Sequence, residues 1–283
     1  MIHAILLISC PDSKGITAAV TGFVSHHGGN IIHADQHIDE QSNTFFMRIE
    51  WSLDGFQIAR EKIAAEFTPI TQKFGMALQL HFTDRKMRLA IFVGRPLHCL
   101  YDLLYRHKAG HFNCDIPVII SNHPEAGQLA ADFKIPFEEF AILKENKAAQ
   151  EQKQMDVLRH HQVDFVVLAR YHQVLTPAFI QEYKNRVINI HHSFLPAFAG
   201  QNPYGQAYQK GVKLIGATSH YATDGLDEGP IIDQDTVRIS HRDSLQDLMR
   251  KGEDLEKMVL SRAVRWHLER KILCYGHKTV IFD

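Results

Sequence analysis

Three features are scarce in this sequence of 283 residues, and each scarcity excludes a class of protein. The four cysteines form no CxxC pair, which excludes a zinc ribbon and a dithiol redox centre. No apolar run approaches the roughly 18 residues that a membrane span requires. Net charge is also low, at −1, which argues against a nucleic-acid binder or a polybasic membrane anchor. The amino terminus lacks the regions of a signal peptide, so we expect a cytoplasmic protein with reduced thiols.

Histidine is abundant, with 19 residues, and two histidine pairs have a spacing found in metal sites. His33 and His37 are four residues apart, as are His107 and His111, a spacing that can bind a metal on a helix. The first pair lies in a predicted strand, where four residues span about 13 Å. Neither pair has a convincing third ligand, so we predict no metal site. The absence of a G-x-G-x-x-G motif argues against a nicotinamide cofactor.

The first part of the chain has the pattern β-α-β-β-α-β. Residues 45–51 alternate between two faces, which is typical of a strand, and Gly28 and Gly29 end a preceding helix. We predict strands over residues 2–9, 31–39, 45–51 and 76–82, and helices over residues 16–27 and 56–67. A short polar linker, residues 83–86, follows, and we place the domain boundary after residue 84.

The remaining residues, 85–283, alternate short apolar strands with helical stretches. Such a rhythm predicts an α/β domain, an open and mostly parallel sheet with helices on both faces. Sheets of this kind bind ligands beyond the carboxyl ends of their strands. The strands are expected at residues 89–93, 116–120, 165–168, 187–190 and 214–217. A long helix over residues 243–268 is interpreted as packing, with its charges on a solvated face.

Three polar residues follow two of these strands. Asn189 and His191 are two apart, so they lie on one face of a strand end, where an amide and an imidazole can stabilise an oxyanion. Asp227 lies in a glycine-rich loop, and its carboxylate would favour the imidazolium if the loop meets His191. The alternatives are a turn asparagine, a core histidine and an ordinary turn aspartate.

The order N-x-H-x-S-x-L-P, followed by D-x-G-P-I-I, resembles the formyltetrahydrofolate-dependent formyltransferase family. Within it, residues 189–198, NIHHSFLPAF, and residues 211–218, GVKLIGAT, are most similar to the deformylase branch. The resemblance covers almost the whole chain. It implies a Rossmann-like formyltransferase domain that hydrolyses 10-formyltetrahydrofolate to tetrahydrofolate and formate. This activity would supply formate for purine synthesis and balance one-carbon pools.

The resemblance also implies roles for individual residues. Asn189 and His191 would hold the oxyanion, and Asp227 would be the base or would hold His191 charged. The folate would contact Gln173, Val174, Leu175, Thr223, Asp224 and Gly225. One departure is His172, where the family commonly has methionine. No cofactor is implied, since the folate is the substrate.

The acceptor is inferred separately, because transferases and hydrolases share this centre. Transferases that act on a phosphorylated amine carry a loop rich in Gly, Ser and Asn after the first strand, where backbone N–H groups hold phosphate. Here residues 93–100 contain one glycine and Pro96, which has no N–H to donate, although Arg95 could still meet an anion. We therefore expect water as the acceptor. A formyltransferase acting on a small amine is the alternative, and a non-catalytic amino-acid sensor is a second.

The amino-terminal segment resembles an ACT domain. The resemblance implies a ferredoxin-like α+β fold, a homo-oligomer and an amino-acid effector, with methionine and glycine as candidates. The corresponding residues are Asp12, Lys14, Gly15 and Asn30. A purely structural oligomerisation module is the alternative.

Overall fold

The computed structural model describes residues 1–143, 145–197 and 202–283. The chain forms two compact units. Unit 1 comprises Met1–Lys86, Glu269–Leu273 and Val280–Asp283, and unit 2 comprises Met87–Leu268 and Cys274–Thr279. The chain thus returns to unit 1 after its last helix, which no sequence pattern indicated. The division into domains 1–84 and 85–283 stays a prediction.

Unit 1 contains a four-stranded antiparallel sheet in the order β2-β3-β1-β4 and two helices. The alternation predicted for the third strand is observed, with Phe45, Met47 and Ile49 contributing to the core. This arrangement is the predicted ferredoxin-like fold. Its elements are β1 (His3–Pro11), α1 (Ile16–His26), β2 (Asn30–Asp39), β3 (Thr44–Ser52), α2 (Ile63–Phe74) and β4 (Ala77–Phe82).

The second helix was predicted too early, over residues 56–67. It begins at Ile63, after a short 3₁₀ turn. The preceding residues form a turn in which Gly55 has φ +76°, a conformation that glycine adopts readily. Phe56 packs against Trp51 with ring centroids 5.8 Å apart, although it lies outside the helix. The apolar spacing therefore identified Phe56 correctly as a residue that packs on the core, but it placed this residue wrongly in the second helix.

One face of the unit 1 sheet buries a charged residue. Arg48 is 3% exposed and forms an ion pair with Glu50 at 2.8 Å. Its guanidinium also donates to the backbone carbonyls of Glu269 and Arg270, which belong to the returning chain. These bonds tie the carboxyl-terminal segment of unit 1 to its sheet.

Unit 2 contains a seven-stranded sheet in the order β11-β10-β9-β8-β5-β6-β7. The five strands from β9 to β7 are parallel, as predicted, but β10 pairs antiparallel with both β9 and β11. Its strands and helices are β5 (Met87–Val93), α3 (His98–Lys108), β6 (Cys114–Ser121), α4 (Glu125–Asp132), β7 (Phe137–Glu139), α5 (Lys147–His160), β8 (Phe165–Ala169), α6 (Pro177–Glu182), β9 (Val187–His191), α7 (Pro203–Lys210), β10 (Leu214–Tyr221), β11 (Ile231–Arg238) and α8 (Leu245–Leu268). A final hairpin consists of β12 (Ile272–Tyr275) and β13 (Lys278–Ile281).

The long helix α8 begins two residues later than predicted because of its cap. Ser244 Oγ accepts from the Asp247 amide, and the Asp247 carboxylate accepts from the Ser244 amide. This reciprocal pair satisfies two backbone donors at the helix start. No helix among the described residues is long and apolar enough to cross a bilayer. The four cysteines lie among the described residues, and none of them forms a disulfide with another.

Candidate active site

The loops that follow β8, β9 and β10 surround a cleft of about 580 Å³. This volume is within the range of small-molecule sites. The cleft lies at the carboxyl ends of the parallel strands, where open α/β sheets bind ligands. Its lining includes Arg170, Gln173, Val174, Leu175, Asn189, His191, His192, Tyr204, His220, Thr223, Gly225 and Asp227.

Asn189 and His191 both reach this cleft from β9. The strand is buried among its neighbours, and His191 is 6% exposed. The antiparallel partner β10 places His220 directly opposite Asn189. The motif that singled out this strand ends at Phe198, which lies outside the described residues.

Asp227 meets His191, as the sequence predicted. Its Oδ2 lies 3.2 Å from Nδ1 of His191. Asp227 has φ +57°, and the loop that carries it is held close to β10 at Gly229. A Cβ at Gly229 would lie 1.7 Å from the carbonyl oxygen of Tyr221, so only glycine fits there. Backbone geometry therefore aims this carboxylate at the imidazole.

The carboxylate of Asp227 faces two imidazoles. Its other oxygen, Oδ1, lies 3.5 Å from Nε2 of His220. Burial raises the pKa of Asp227, but hydrogen bonding and attraction from the two histidines outweigh burial and hold the pKa well below its ordinary value. Asp227 is therefore ionised at neutral pH.

His220 was missed in the sequence, although it lies only two residues beyond the motif at residues 211–218. Its Nδ1 donates to the Tyr221 carbonyl over 3.0 Å, since a carbonyl can only accept. Nε2 lies 3.1 Å from Nδ2 of Asn189 and 3.5 Å from Oδ1 of Asp227, so a neutral ring accepts from the amide there and a protonated ring donates to the carboxylate instead. The bond to the neutral ring orients the Asn189 amide. His220 lies opposite Asn189 because β10 pairs antiparallel with β9. The sequence pattern had suggested a parallel sheet, so it gave no reason to place the two residues together.

His191 has one nitrogen available for chemistry. Nδ1 faces the Asp227 carboxylate, which favours a proton there. Nε2 is buried and has no hydrogen-bond partner among the described residues. A nitrogen in this state can accept a proton from a nucleophile and later donate it. Asn189 beside it supplies an amide donor suited to an oxyanion.

Five of the six predicted folate-side residues line the cleft. Asp224 does not, and it is exposed. The Thr223 hydroxyl donates to the Gly225 carbonyl over 3.2 Å, which closes a tight turn with Asp224 at its tip. The tip of a turn faces solvent, so Asp224 lies outside the lining of the cleft and its role in folate binding stays a prediction.

A buried charged cluster adjoins the cleft, and the sequence had suggested only packing there. Glu256 of α8 is 1% exposed, which contradicts the solvated face predicted for that helix. It accepts from Tyr204 Oη at 2.6 Å and pairs with His98 at 2.9 Å and Arg170 at 3.6 Å. Burial raises the pKa of Glu256, but His98 and Arg170 hold it below its ordinary value. We call these four residues the Glu256 cluster.

Two residues of the Glu256 cluster, together with the neighbouring Cys99, are spaced as metal ligands could be. Ligand atoms of His98, Cys99 and Glu256 lie within 4.8 Å of one another. Burial raises the pKa of the Cys99 thiol well above its ordinary value, so the thiol is protonated in the absence of a metal. The Arg170 guanidinium already supplies positive charge there. This positive charge works against a bound cation. The expectation that the protein has no metal site stays a prediction.

The four predicted effector residues do not lie together in one chain. Asp12, Lys14 and Gly15 follow β1, and Gly15 begins α1 with φ +93°. Asn30 begins β2 and pairs with Ser52, at the opposite end of the sheet. The two ends of β1 are roughly 26 Å apart at about 3.3 Å per residue.

Comparison with known proteins agrees with this geometry. Residues 87–264 match the formyl transferase family model and residues 4–68 match the ACT domain model. A formyltetrahydrofolate deformylase from Synechocystis sp. is 51% identical over 279 residues, or 99% of this chain and 98% of the relative.

Two solved structures are also similar. A formyltetrahydrofolate deformylase from Pseudomonas syringae pv. tomato has a TM-score of 0.97 and 44% identity, with 100% of this chain and 95% of that chain covered. A glycinamide ribonucleotide transformylase from Symbiobacterium toebii has a TM-score of 0.67 and 28% identity, with 72% and 98% covered. The cleft, its Asn–His–Asp set and the full-length likeness to two deformylases together show that the chain belongs to the formyltetrahydrofolate deformylases of the formyl transferase family.

Proposed function

We propose that this protein hydrolyses 10-formyltetrahydrofolate to tetrahydrofolate and formate. The observation that carries the proposal is the buried contact between His191 and Asp227 beside Asn189, inside a cleft of suitable size. The full-length likeness to deformylases supports water as the acceptor. Such an activity supplies formate for purine synthesis and balances one-carbon pools.

The reaction requires a nucleophile, an oxyanion site and a protonated leaving nitrogen. Water attacks the formyl carbon and gives a proton to Nε2 of His191, while Asn189 donates to the oxyanion. The imidazolium then protonates N10 as the carbon–nitrogen bond breaks. Asp227 holds Nδ1 of His191 throughout. Its lowered pKa makes it a weak base, which favours this supporting role over direct proton abstraction.

The folate is proposed to bind against Gln173, Val174, Leu175, Thr223 and Gly225. Their side of the cleft combines backbone groups with apolar side chains, which suits a flat heteroaromatic ring. Asp224 remains a candidate only for an exposed part of the substrate. The expectation that no cofactor takes part stays a prediction, as does a cytoplasmic location.

A formyltransferase acting on a small amine is the second candidate. The likeness to a transformylase favours this candidate, because the same fold serves an enzyme with an amine acceptor. The fold alone therefore does not determine whether water or an amine is the acceptor. The loop after β5 gives no support for a phosphate group on that acceptor. It carries Pro96, which lacks an N–H, and Gly94 as its one glycine.

A single assay tests the proposed function. Purified full-length protein is given 10-formyltetrahydrofolate in buffer free of primary amines, and tetrahydrofolate and formate are both quantified. We expect equal release of the two products. Asp227→Asn should keep folate binding and lose on the order of 100-fold or more in kcat. Exposed Glu228→Gln, in the same loop, is the matched control and should retain activity. No formate from the wild type would contradict the hydrolase.

The ACT domain is proposed to bind an amino acid, with methionine and glycine as candidates, in a homo-oligomer. A site that used Asp12 and Asn30 together requires two chains, because one chain holds them at opposite ends of its sheet. Calorimetry with each amino acid and light scattering of the full chain test this. No heat of binding, together with a mass of 32.4 kDa, would contradict both parts.

A further inference from the structure

The carboxyl ends of β5 and β8 mark the point where the strand order of the large sheet reverses. Open α/β sheets provide a crevice for ligands at such points. Gly94 directly follows β5, and Arg170 directly follows β8. A Cβ at Gly94 would lie 2.3 Å from the Arg170 carbonyl oxygen, so the two backbones are already in contact. The backbone of the chain itself therefore occupies the crevice between Gly94 and Arg170.

A second bond ties the same two segments together. Nε2 of His172 donates to the backbone carbonyl of Arg95 over 2.9 Å. This is the position where the family commonly has methionine, which could not donate such a bond. The loop after β5 is therefore fixed against the segment that carries Arg170.

Arg170 itself is held in an unfavourable state. Its φ is +59°, a left-handed conformation that disfavours side chains larger than glycine. Nε and Nη1 of its guanidinium are buried and have no hydrogen-bond partner among the described residues. Glu256 at 3.6 Å balances its charge. Strain and unsatisfied donors at one cleft residue point to a functional constraint and not to local stability.

The surroundings hold Arg170 in place and cancel its charge. Gly252 of α8 leaves room for the Tyr204 hydroxyl, which would lie 2.1 Å from a Cβ there. That hydroxyl donates to ionised Glu256. His192, stacked on His191 at 5.0 Å, has its pKa lowered to about 3 by burial and by Arg170, so it is neutral. These contacts hold Arg170 against Glu256, and the charges of the two side chains offset each other.

We infer that Arg170, which lines the same cleft as His191 and is clamped by Glu256, determines acceptor specificity by filling the space that an amine acceptor would need there. Water is small enough to remain. The inference rests on the proposed function and names the residue that selects its acceptor. If this space were opened, an amine nitrogen would bond to the formyl carbon as the carbon–N10 bond breaks. The amine proton would pass through His191 to N10.

Arg170→Gly is the direct test, because glycine suits the left-handed backbone and removes the side chain. Arg170→Gly with Glu256→Gln is the second variant, since it leaves no unpaired buried carboxylate. Arg170→Lys is the matched control, which keeps a long cationic side chain in the space. Each full-length protein receives 10-formyltetrahydrofolate with hydroxylamine or with glycinamide, and mass spectrometry quantifies formate and the N-formyl product.

We expect wild type and Arg170→Lys to give formate almost alone. The ratio of N-formyl product to formate should rise at least tenfold in Arg170→Gly or in the double variant. This ratio is independent of the total rate, so a loss of fold stability does not imitate it. A ratio unchanged in the folded double variant would overturn the inference. A wild type that releases no formate would instead overturn the proposed function, whatever Arg170 does.

Discussion

At the scale of single residues, Asp227 links the chemistry of the site to its electrostatics. Both of its oxygens face imidazoles, and the pKa of its carboxyl is lowered as a result. A group whose pKa is lower in the folded state than in the unfolded chain stabilises the fold when it is ionised in both. That stabilisation is complete above the ordinary pKa and is lost as pH falls through the folded value.

The pH dependence of stability therefore tests this contact. The difference in free energy of unfolding between wild type and Asp227→Asn should be largest above about pH 5 and should shrink as the pH falls below about 4. Urea denaturation at several pH values measures it. Glu228→Gln is the control, with a small difference from wild type throughout. A difference for Asp227→Asn that is the same at pH 3 and pH 7 would show that no such contact exists.

At the scale of elements, the β10–β11 loop is positioned by close backbone contact. Gly229 lies against the Tyr221 carbonyl so closely that any side chain must displace the loop. Asp227 is two residues away, and catalytic groups tolerate displacements of only about 0.5 Å. The loop's shape is therefore part of the active site, although Gly229 carries no reactive group.

Gly229→Ala should consequently lower kcat by about 100-fold, because a misplacement near 1 Å has that effect on positioned groups. Steady-state kinetics measures the loss, and circular dichroism checks that the sheet remains. Gly22→Ala in α1 is the matched control, since its new Cβ would approach no atom closer than 3.8 Å. Wild-type kcat in a folded Gly229→Ala protein would mean that the loop can move without consequence.

At the scale of the whole molecule, the chain begins and ends in the same unit. Arg48 makes this return specific, because its buried guanidinium pairs with Glu50 and binds two carbonyls of the returning segment. Removing Arg48 would leave the two carbonyls without this donor and would leave Glu50 with His3 as its other partner, at 2.7 Å. Unit 1 thus depends on residues more than 220 positions apart in the sequence.

Arg48→Ala should destabilise unit 1 by about 3 kcal/mol. Denaturation followed at several wavelengths should then show two transitions, the first from unit 1. Arg60→Ala is the control, because the partly exposed Arg60–Asp84 pair and the contact of Arg60 with the Phe82 ring each contribute about 1 kcal/mol or less. A single transition at the wild-type midpoint would exclude a stabilising role for Arg48.

Local patterns predicted most elements well. Alternation placed β3 within one residue at each end, and the spacing of Asn189 and His191 placed both at one strand end. The start of α2 was wrong, because Phe56 belongs to the core without being helical. The prediction of a solvated charged face on the long helix was also wrong for Glu256, which is buried. Nothing in helical periodicity distinguishes a solvated carboxylate from one buried beside Arg170.

The sequence by itself determined the two folds and the family, and it predicted the three central residues, because period and short motifs are local properties of the chain. Only the tertiary structure decided which polar groups face one another. The antiparallel turn of β10 brought His220 to Asn189, and the packing of α8 brought Glu256 to Arg170. These contacts join residues 31 and 86 positions apart. The direction of strand pairing and the packing of a helix create these contacts, and the local spacing of residues in the sequence predicts neither of them.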